Sequence, residues 1–158
     1  VGAMTRGEAV AAAAEGAVVG DSLGQTVVRV PRESLVAAIT AARDAGFTMF
    51  IDLCAVDYLI REPRFEVVVN LLALDPPERL RLLAGIPGED PTAPSITGVF
   101  AGADFYEREA FDLFGIVFTG HPDLPRILLP DDWQGHPLRK DTPVGSVPVQ
   151  FKEANRAT

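Results

Sequence analysis

Two copies of Gly-His-Pro, at 120–122 and 135–137, carry the only histidines of this 158-residue chain. Imidazoles titrate near neutral pH and ligate metals, so the pair first raises acid–base chemistry or a metal site. A zinc site would have to recruit Asp123 or Cys54 beside His121 and His136, and that spacing matches no zinc-binding pattern. The proline after each histidine instead pushes the backbone towards extended or turn conformations. The second candidate is EREAFD, residues 107–112, with three carboxylates. On a helix Glu107 and Glu109 point to different sides. Glu109 and Asp112 share a face, but the Glu-x-x-His of a di-iron site is missing.

Each acid also has a structural reading. Asp104 and Glu107 have capping-box spacing, Glu109 suits the first half of a helix dipole, and Arg108 with Asp112 forms an i,i+4 pair. Asp112 near the helix C-terminus opposes the dipole and calls for a further partner, such as an arginine of the downstream segment. Cys54 is the single thiol, too few for an internal disulfide or a four-cysteine iron–sulfur site. Its apolar setting, FTMFIDLCAV, predicts a buried, inert side chain. No dinucleotide fingerprint or phosphate loop occurs.

The elements that must position these residues follow from periodicity. Thr5 and Glu8 predict a capped helix over 6–15, and TVVRV (26–30) a short strand. Pro31 suits a first helical position, Leu35, Ile39 and Ala42 recur at helical spacing, and Gly46 can end that helix in a left-handed cap. Residues 47–55 and 65–74 predict strands, the second with Phe65, Val67, Val69 and Leu71 on one face. After the turn DPPE (75–78), residues 79–86 predict a third strand of a meander, with Leu80 and Leu82 facing one way. PGEDPTAPS, 87–95, is expected as a linker or surface loop, and a helix follows over 105–114, ended by Gly115. The order α-β-α-β-β-β-α implies an α+β class: a two-layer sandwich, a mostly antiparallel or mixed sheet with helices on one face, over residues 1–115.

Residues 116–158 are different in kind. They hold six of the thirteen prolines, and their charges balance, whereas residues 1–114 carry 9 of the 14 basic and 17 of the 22 acidic side chains. Little periodicity is left with which to build a core, while Trp133, Arg126, Arg139 and Lys140 are of the types that make interfaces. This stretch is expected as an extended, irregular, Pro-rich docking arm, or, as far as Leu129, as chain packed back on its own sheet. The net charge of −8 argues against nonspecific nucleic-acid binding. The longest apolar runs fall short of the ~20 residues that span a bilayer. AVAAAA, near the start, lacks a signal peptide's basic and apolar regions, which predicts a cytoplasmic protein.

Taken together, YEREAFDLFGIVFTGHPDLPRILLPDDWQGHPLRKDTPV, from Tyr106 to Val144, closely resembles the C-terminal signature of the C-type, or 30 kDa, subunit family of the proton-pumping NADH:quinone oxidoreductase, respiratory complex I. FTMFIDLCAVDYL and RFEVVVNLLAL resemble the family's strand pair more loosely. The resemblance implies a non-catalytic subunit of the peripheral arm, on the cytoplasmic side of the plasma membrane. It also implies docking on the D-type subunit, the relative of the hydrogenase large subunit that helps form the quinone site, beside other peripheral-arm subunits. It implies no cofactor in this chain, with FMN and iron–sulfur clusters elsewhere in the complex and quinone as its substrate. By position, Glu107, Arg108, Glu109, Asp112, Phe114 and Gly115 fall in the signature helix. His121, Pro122, Asp123 and Arg126 fall in a first loop, and Trp133, His136, Pro137, Arg139, Lys140 and Asp141 in a second. All are assigned to structure and partner docking, and none to catalysis or metal binding. Pro125 stands where arginine is common in the family, and Thr142 where an aromatic is common. Two other readings stay open. One is the equivalent subunit of a membrane-bound hydrogenase or a ferredoxin- or F420-dependent dehydrogenase; the other is a metal-dependent enzyme using His121, His136 and Asp123.

Overall fold

The computed structural model describes residues 4–142. The rest of the arm, from Pro143, lies outside the described residues. Helix α1 (Arg6–Ala12) opens on the expected capping box: the Glu8 N–H donates to Thr5 Oγ1 at 3.2 Å and the Thr5 N–H to Glu8 Oε2 at 2.7 Å. Strand β1 (Val18–Ser22) then pairs antiparallel with β2 (Gln25–Pro31). No periodicity marks β1, because all five of its residues are exposed on a sheet edge. Pro31 does not open the next helix. It closes β2, a 3₁₀ turn (Arg32–Ser34) intervenes, and α2 (Leu35–Asp44) begins after it. Gly46 has the left-handed φ of +101° expected of it, and it turns the chain so that Phe47 is fully buried.

Strands β3 (Met49–Asp57), β4 (Phe65–Leu74) and β5 (Pro77–Ile86) form the meander, and β2 joins β5 in parallel, giving the mixed order β1-β2-β5-β4-β3. The alternation holds. Phe65, Val67, Val69, Leu71, Leu80 and Leu82 are all buried in one core with residues of α1 and α2 and of the later helix. The opposite face of the sheet has, among the described residues, a small cluster of Val27, Val68 and Leu83 with Val56 against it, and no helix residue belongs to that cluster.

Three further expectations need correction. Cys54 is exposed, not buried: the pairing of β3 with β4 slips between Phe50 and Asp52, after which Leu53 points into the core and Cys54 away from it. Partial desolvation, and then the nearby Asp52 carboxylate, raise the thiol pKa. Residues 87–95 are more than a surface loop, since β6 (Thr92–Pro94) pairs in parallel with β7 (Val117–Thr119), burying Ala93 and Phe118. Helix α3 (Ala103–Phe114) begins before Asp104, and its N-cap, Gly102, makes no side-chain cap bond. Asp104 and Glu107 therefore form no capping box. Gly115 ends α3 with φ +73°, as its position implied.

Candidate functional site

Helix α3 holds two fully buried carboxyl groups, Asp112 facing the chain that follows it and Glu107 between the segment before α3 and His121. Asp112 is the better satisfied. Its Oδ1 accepts from Arg126 Nη1 at 2.6 Å, and its Oδ2 from the successive backbone N–H groups of Ile127, Leu128 and Leu129 at 3.1, 2.8 and 2.9 Å. Burial pushes this carboxyl up. The Leu129 N–H, the Arg126 guanidinium and the other two N–H groups outweigh burial and hold it below the usual Asp range. The awkward acid at a helix end thus has its arginine, and it folds residues 126–129 around itself as a three-donor nest. Arg126 also donates to the Trp133 and Gly135 carbonyls at 3.0 and 3.2 Å, pinning the second turn to the first.

The last turn of any α-helix leaves carbonyls without intrahelical partners. Here the arm supplies the donors. His136 Nδ1 donates to the Asp112 carbonyl at 2.9 Å, the Leu138 N–H to Leu113 at 3.0 Å and Arg139 Nε to Phe114 at 2.6 Å. Cationic Arg126 and Arg139 also sit where the helix dipole is negative. Gly115 admits this cap. A Cβ there would lie 2.5 Å from His136 Cδ2 and 2.6 Å from Arg139 Nη2, and its left-handed φ independently favours glycine.

Glu107 is less well provided. Its Oε1 accepts from the Ile96 N–H at 2.7 Å, tying α3 to the segment before it, while Oε2 has no hydrogen-bond partner among the described residues. His121 Nε2 lies 3.9 Å from that oxygen and 3.5 Å from Asp104 Oδ1, which is likewise unpartnered. His121 Nδ1 accepts from the Asp123 N–H at 3.1 Å, so the neutral ring carries its proton on Nε2, facing the two acids. Burial is the main reason the Glu107 pKa is raised; the Ile96 N–H, Ser95 and His121 oppose the rise, and Asp104 adds to it.

A third buried acid, Asp57, has no counterpart among the sequence candidates. Arg64 holds it bidentately, Nε to Oδ1 at 3.0 Å and Nη2 to Oδ2 at 2.8 Å, and the N–H groups of Leu59 and Lys140 donate to it, each at 2.8 Å. Arg64 also reaches Asp141 at 2.9 Å, so residues 140 and 141 of the arm are fastened to the end of β3 and the loop after it. The Arg64 guanidinium, the first cause, and the two N–H groups hold Asp57 far below the usual Asp range against its burial. The only sequence signal is an acid ending an apolar strand. Its arm contact, the Lys140 N–H, comes from 83 residues downstream, beyond any local spacing.

Arg108 does not pair with Asp112; its guanidinium lies 5.6 Å from the centre of the Phe105 ring, near the Pro125 carbonyl. Phe114 is partly buried against the core, and Trp133 and Pro137 are half-buried. Glu109, Pro122, Asp123 and Lys140 are exposed. The two histidines do not meet, because His121 faces the first turns of α3 and His136 its last. Among the described residues no three His, Cys, Asp or Glu side chains are grouped to hold a metal, and no helix is long and apolar enough to cross a membrane. Glu107 and Asp112 expose no surface. What the arrangement does chemically is hold one part of the chain to another.

The fold and these contacts define an α+β domain whose buried charges fasten its own C-terminal arm, and similarity to known proteins narrows the class. The family described as respiratory-chain NADH dehydrogenase, 30 Kd subunit, matches residues 28–147. The chain is 49% identical over 131 residues to the C-type subunit of NADH-quinone oxidoreductase of Roseiflexus sp. (strain RS-1), covering 81% of this chain and 75% of that protein. It is 46% identical over 151 residues to the first C-type subunit of NADH-quinone oxidoreductase of Rhizobium meliloti (strain 1021), covering 90% and 75%. The solved trypsin-resistant fragment (1–134) of Nqo5 superposes with a TM-score of 0.64 at 38% identity, over 70% of this chain and 91% of that one. A chain of a membrane-bound sulfane sulfur reductase, an archaeal respiratory membrane complex, shares the fold over 94% of both chains with a TM-score of 0.75 at 20% identity. This chain belongs to the 30 kDa subunit family of the respiratory-chain NADH dehydrogenase, which includes the C-type subunits of NADH-quinone oxidoreductases.

Proposed function

We propose that the chain is a non-catalytic subunit of the peripheral arm of complex I, on the cytoplasmic side of the plasma membrane, docking on the D-type subunit near the quinone site. It binds no cofactor of its own. FMN, the iron–sulfur clusters and the quinone belong to other subunits, and this chain supports NADH-to-quinone electron transfer by holding the geometry of the arm. The observation that carries this reading is that Asp112, Arg126, His136 and Arg139 of the signature are spent on binding the arm to α3. They make a fixed shape of residues 120–142 and leave no open constellation for chemistry among the described residues. Pro122, Asp123, Lys140 and the open part of Trp133 are then signature side chains free to meet a partner.

The test is co-expression of the tagged chain with the D-type subunit and the other peripheral-arm subunits. Co-elution with the D-type subunit, and loss of quinone reduction when this chain is omitted, are the expected results. Quinone reduction at full rate without the chain would overturn the proposal. Co-elution with a nickel-ligating large subunit instead would move it to the hydrogenase reading.

A further inference from the structure

The seven residues between β3 and β4, YLIREPR (58–64), are fastened by backbone or side-chain contacts at Tyr58, Leu59, Ile60, Arg61, Pro63 and Arg64. The Tyr58 N–H donates to the Arg64 carbonyl at 2.9 Å, closing the loop, and the Ile60 N–H to the Tyr58 carbonyl at 2.7 Å. Tyr58 donates its hydroxyl to Glu66 at 3.0 Å, and Arg61 reaches the same carboxylate at 3.3 Å with its guanidinium 4.1 Å from the centre of the Tyr58 ring. Pro63 packs where Gly85 has no Cβ, a position at which one would lie 2.4 Å from the proline ring. Leu59 sits at φ +61°, the left-handed region that leucine avoids, and is kept there by its N–H bond to Asp57.

All this fixed chain displays two apolar side chains to water: Ile60 is 92% exposed and Leu59 43%. They bring little to the fold. A strained backbone held rigid so that an isoleucine points outward is what a binding anchor needs, since the ordering cost is met before the partner arrives. The same Asp57 that holds Leu59 also holds the Lys140 N–H, and Arg64 bridges Asp57 to Asp141. The loop and residues 140–141 are therefore tied into one piece, continuous with the segment assigned above to docking.

We infer that the Leu59–Ile60 tip is an anchor that inserts into an apolar pocket on the D-type subunit, with Lys140 at its rim. The inference rests on the docking proposed above and adds the residue that carries it. A convex, isolated, rigid tip calls for a concave apolar partner surface, and burying an isoleucine at the centre of an interface is the kind of contact that dominates affinity.

The test uses the full chain with the D-type subunit. Ile60→Asp is expected to weaken their association at least tenfold, about 1.4 kcal/mol, while Ile60→Leu stays within about twofold of wild type. Because residue 60 brings little to the fold, both variants should melt with the wild type. A photo-crosslinking amino acid at position 60 in the assembled complex should label the D-type subunit. Wild-type affinity for Ile60→Asp, or a crosslink to residues 143–158 of the same chain, to a second copy or to nothing, overturns this inference and leaves the docking itself standing. Failure of the wild-type chain to bind the D-type subunit overturns both.

Discussion

Against the sheet, α2 lays Leu35, Ala38, Ile39 and Ala42, all fully buried and none with a side-chain polar atom; α3 buries Glu107 and Asp112 equally, each with a carboxyl group, and sets Asp112 against the arm. The two regions follow different energetics. Apolar burial is non-directional and adds up, roughly 1.5–3 kcal/mol per large side chain, so a core absorbs small changes by local relaxation. A buried ion pair yields little net stability, because desolvating both charges offsets their attraction, yet removing one partner strands the other. The helix–arm junction is therefore specified rather than strongly glued: its geometry is fixed, and its failure is abrupt.

Breaking each region once separates the two behaviours. Asp112→Ala is expected to lose about 3–5 kcal/mol, since Arg126 and three N–H groups lose their common acceptor. Ile39→Ala, at about 2–5 kcal/mol, falls in an overlapping range. The signature differs even where the sizes agree. Denaturant unfolding of Ile39→Ala should stay a single transition, while Asp112→Ala should admit protease between residues 120 and 142 before the sheet unfolds. Equal protection of those residues in both variants would show that the arm does not depend on the clamp.

The buried acids also divide by pH. Asp57, held low, contributes stability that is present above the ordinary Asp pKa of about 3.9 and is lost as pH falls below it. Denaturation curves from pH 6 down to about 3 should show this loss, and Asp57→Asn, weaker throughout, should show a flatter decline. Glu107, held high, works with the opposite sign. The folded state keeps a proton that the unfolded chain releases, so stability falls as pH rises above the ordinary Glu pKa of about 4.3. Glu107→Gln keeps the shape and removes the charge. Its stability relative to wild type should rise from pH 4 to pH 8, and a difference that does not change with pH would mean that Glu107 is ionised at no cost.

The same contrast explains what the residues disclose before the fold is known. Leu35, Ile39 and Ala42, or Phe65 through Leu71, announce their elements because apolar burial imposes a period on neighbours in sequence. The polar junction has no period. Asp112 is legible only as an acid in the wrong half of a helix, a local conflict that demands a partner and finds it in Arg126. Asp57 shows no conflict at all, and its partners at 64 and 140, with Asp141 behind Arg64, could be joined only by the fold. Glu107 misleads, because capping-box spacing with Asp104 offers a simpler account than burial beside His121. Cys54 misleads for a related reason: an apolar run does not reveal a slip in pairing that turns one residue outward.

The smallest effect comes from comparing two leucines. Leu23 and Leu59 both hold a left-handed φ, +55° and +61°, which costs leucine roughly 1 kcal/mol. Leu59 is kept there by a buried carboxylate at the end of β3, within the loop argued to serve binding. Leu23 is fully exposed at the tip of the β1–β2 hairpin, followed by Gly24 at φ +78°, a two-residue turn of the kind that prefers Asn-Gly. Its side chain packs on nothing that would hold it there. Leu23→Asn should therefore stabilise the domain by about 0.5 kcal/mol without touching assembly. Leu59→Asn, which also relieves strain, should stabilise the isolated chain by a similar amount while weakening its hold on the D-type subunit. If the two substitutions behave alike in both assays, left-handed strain is incidental at both hairpins, and the fixed loop owes its shape to Asp57 alone.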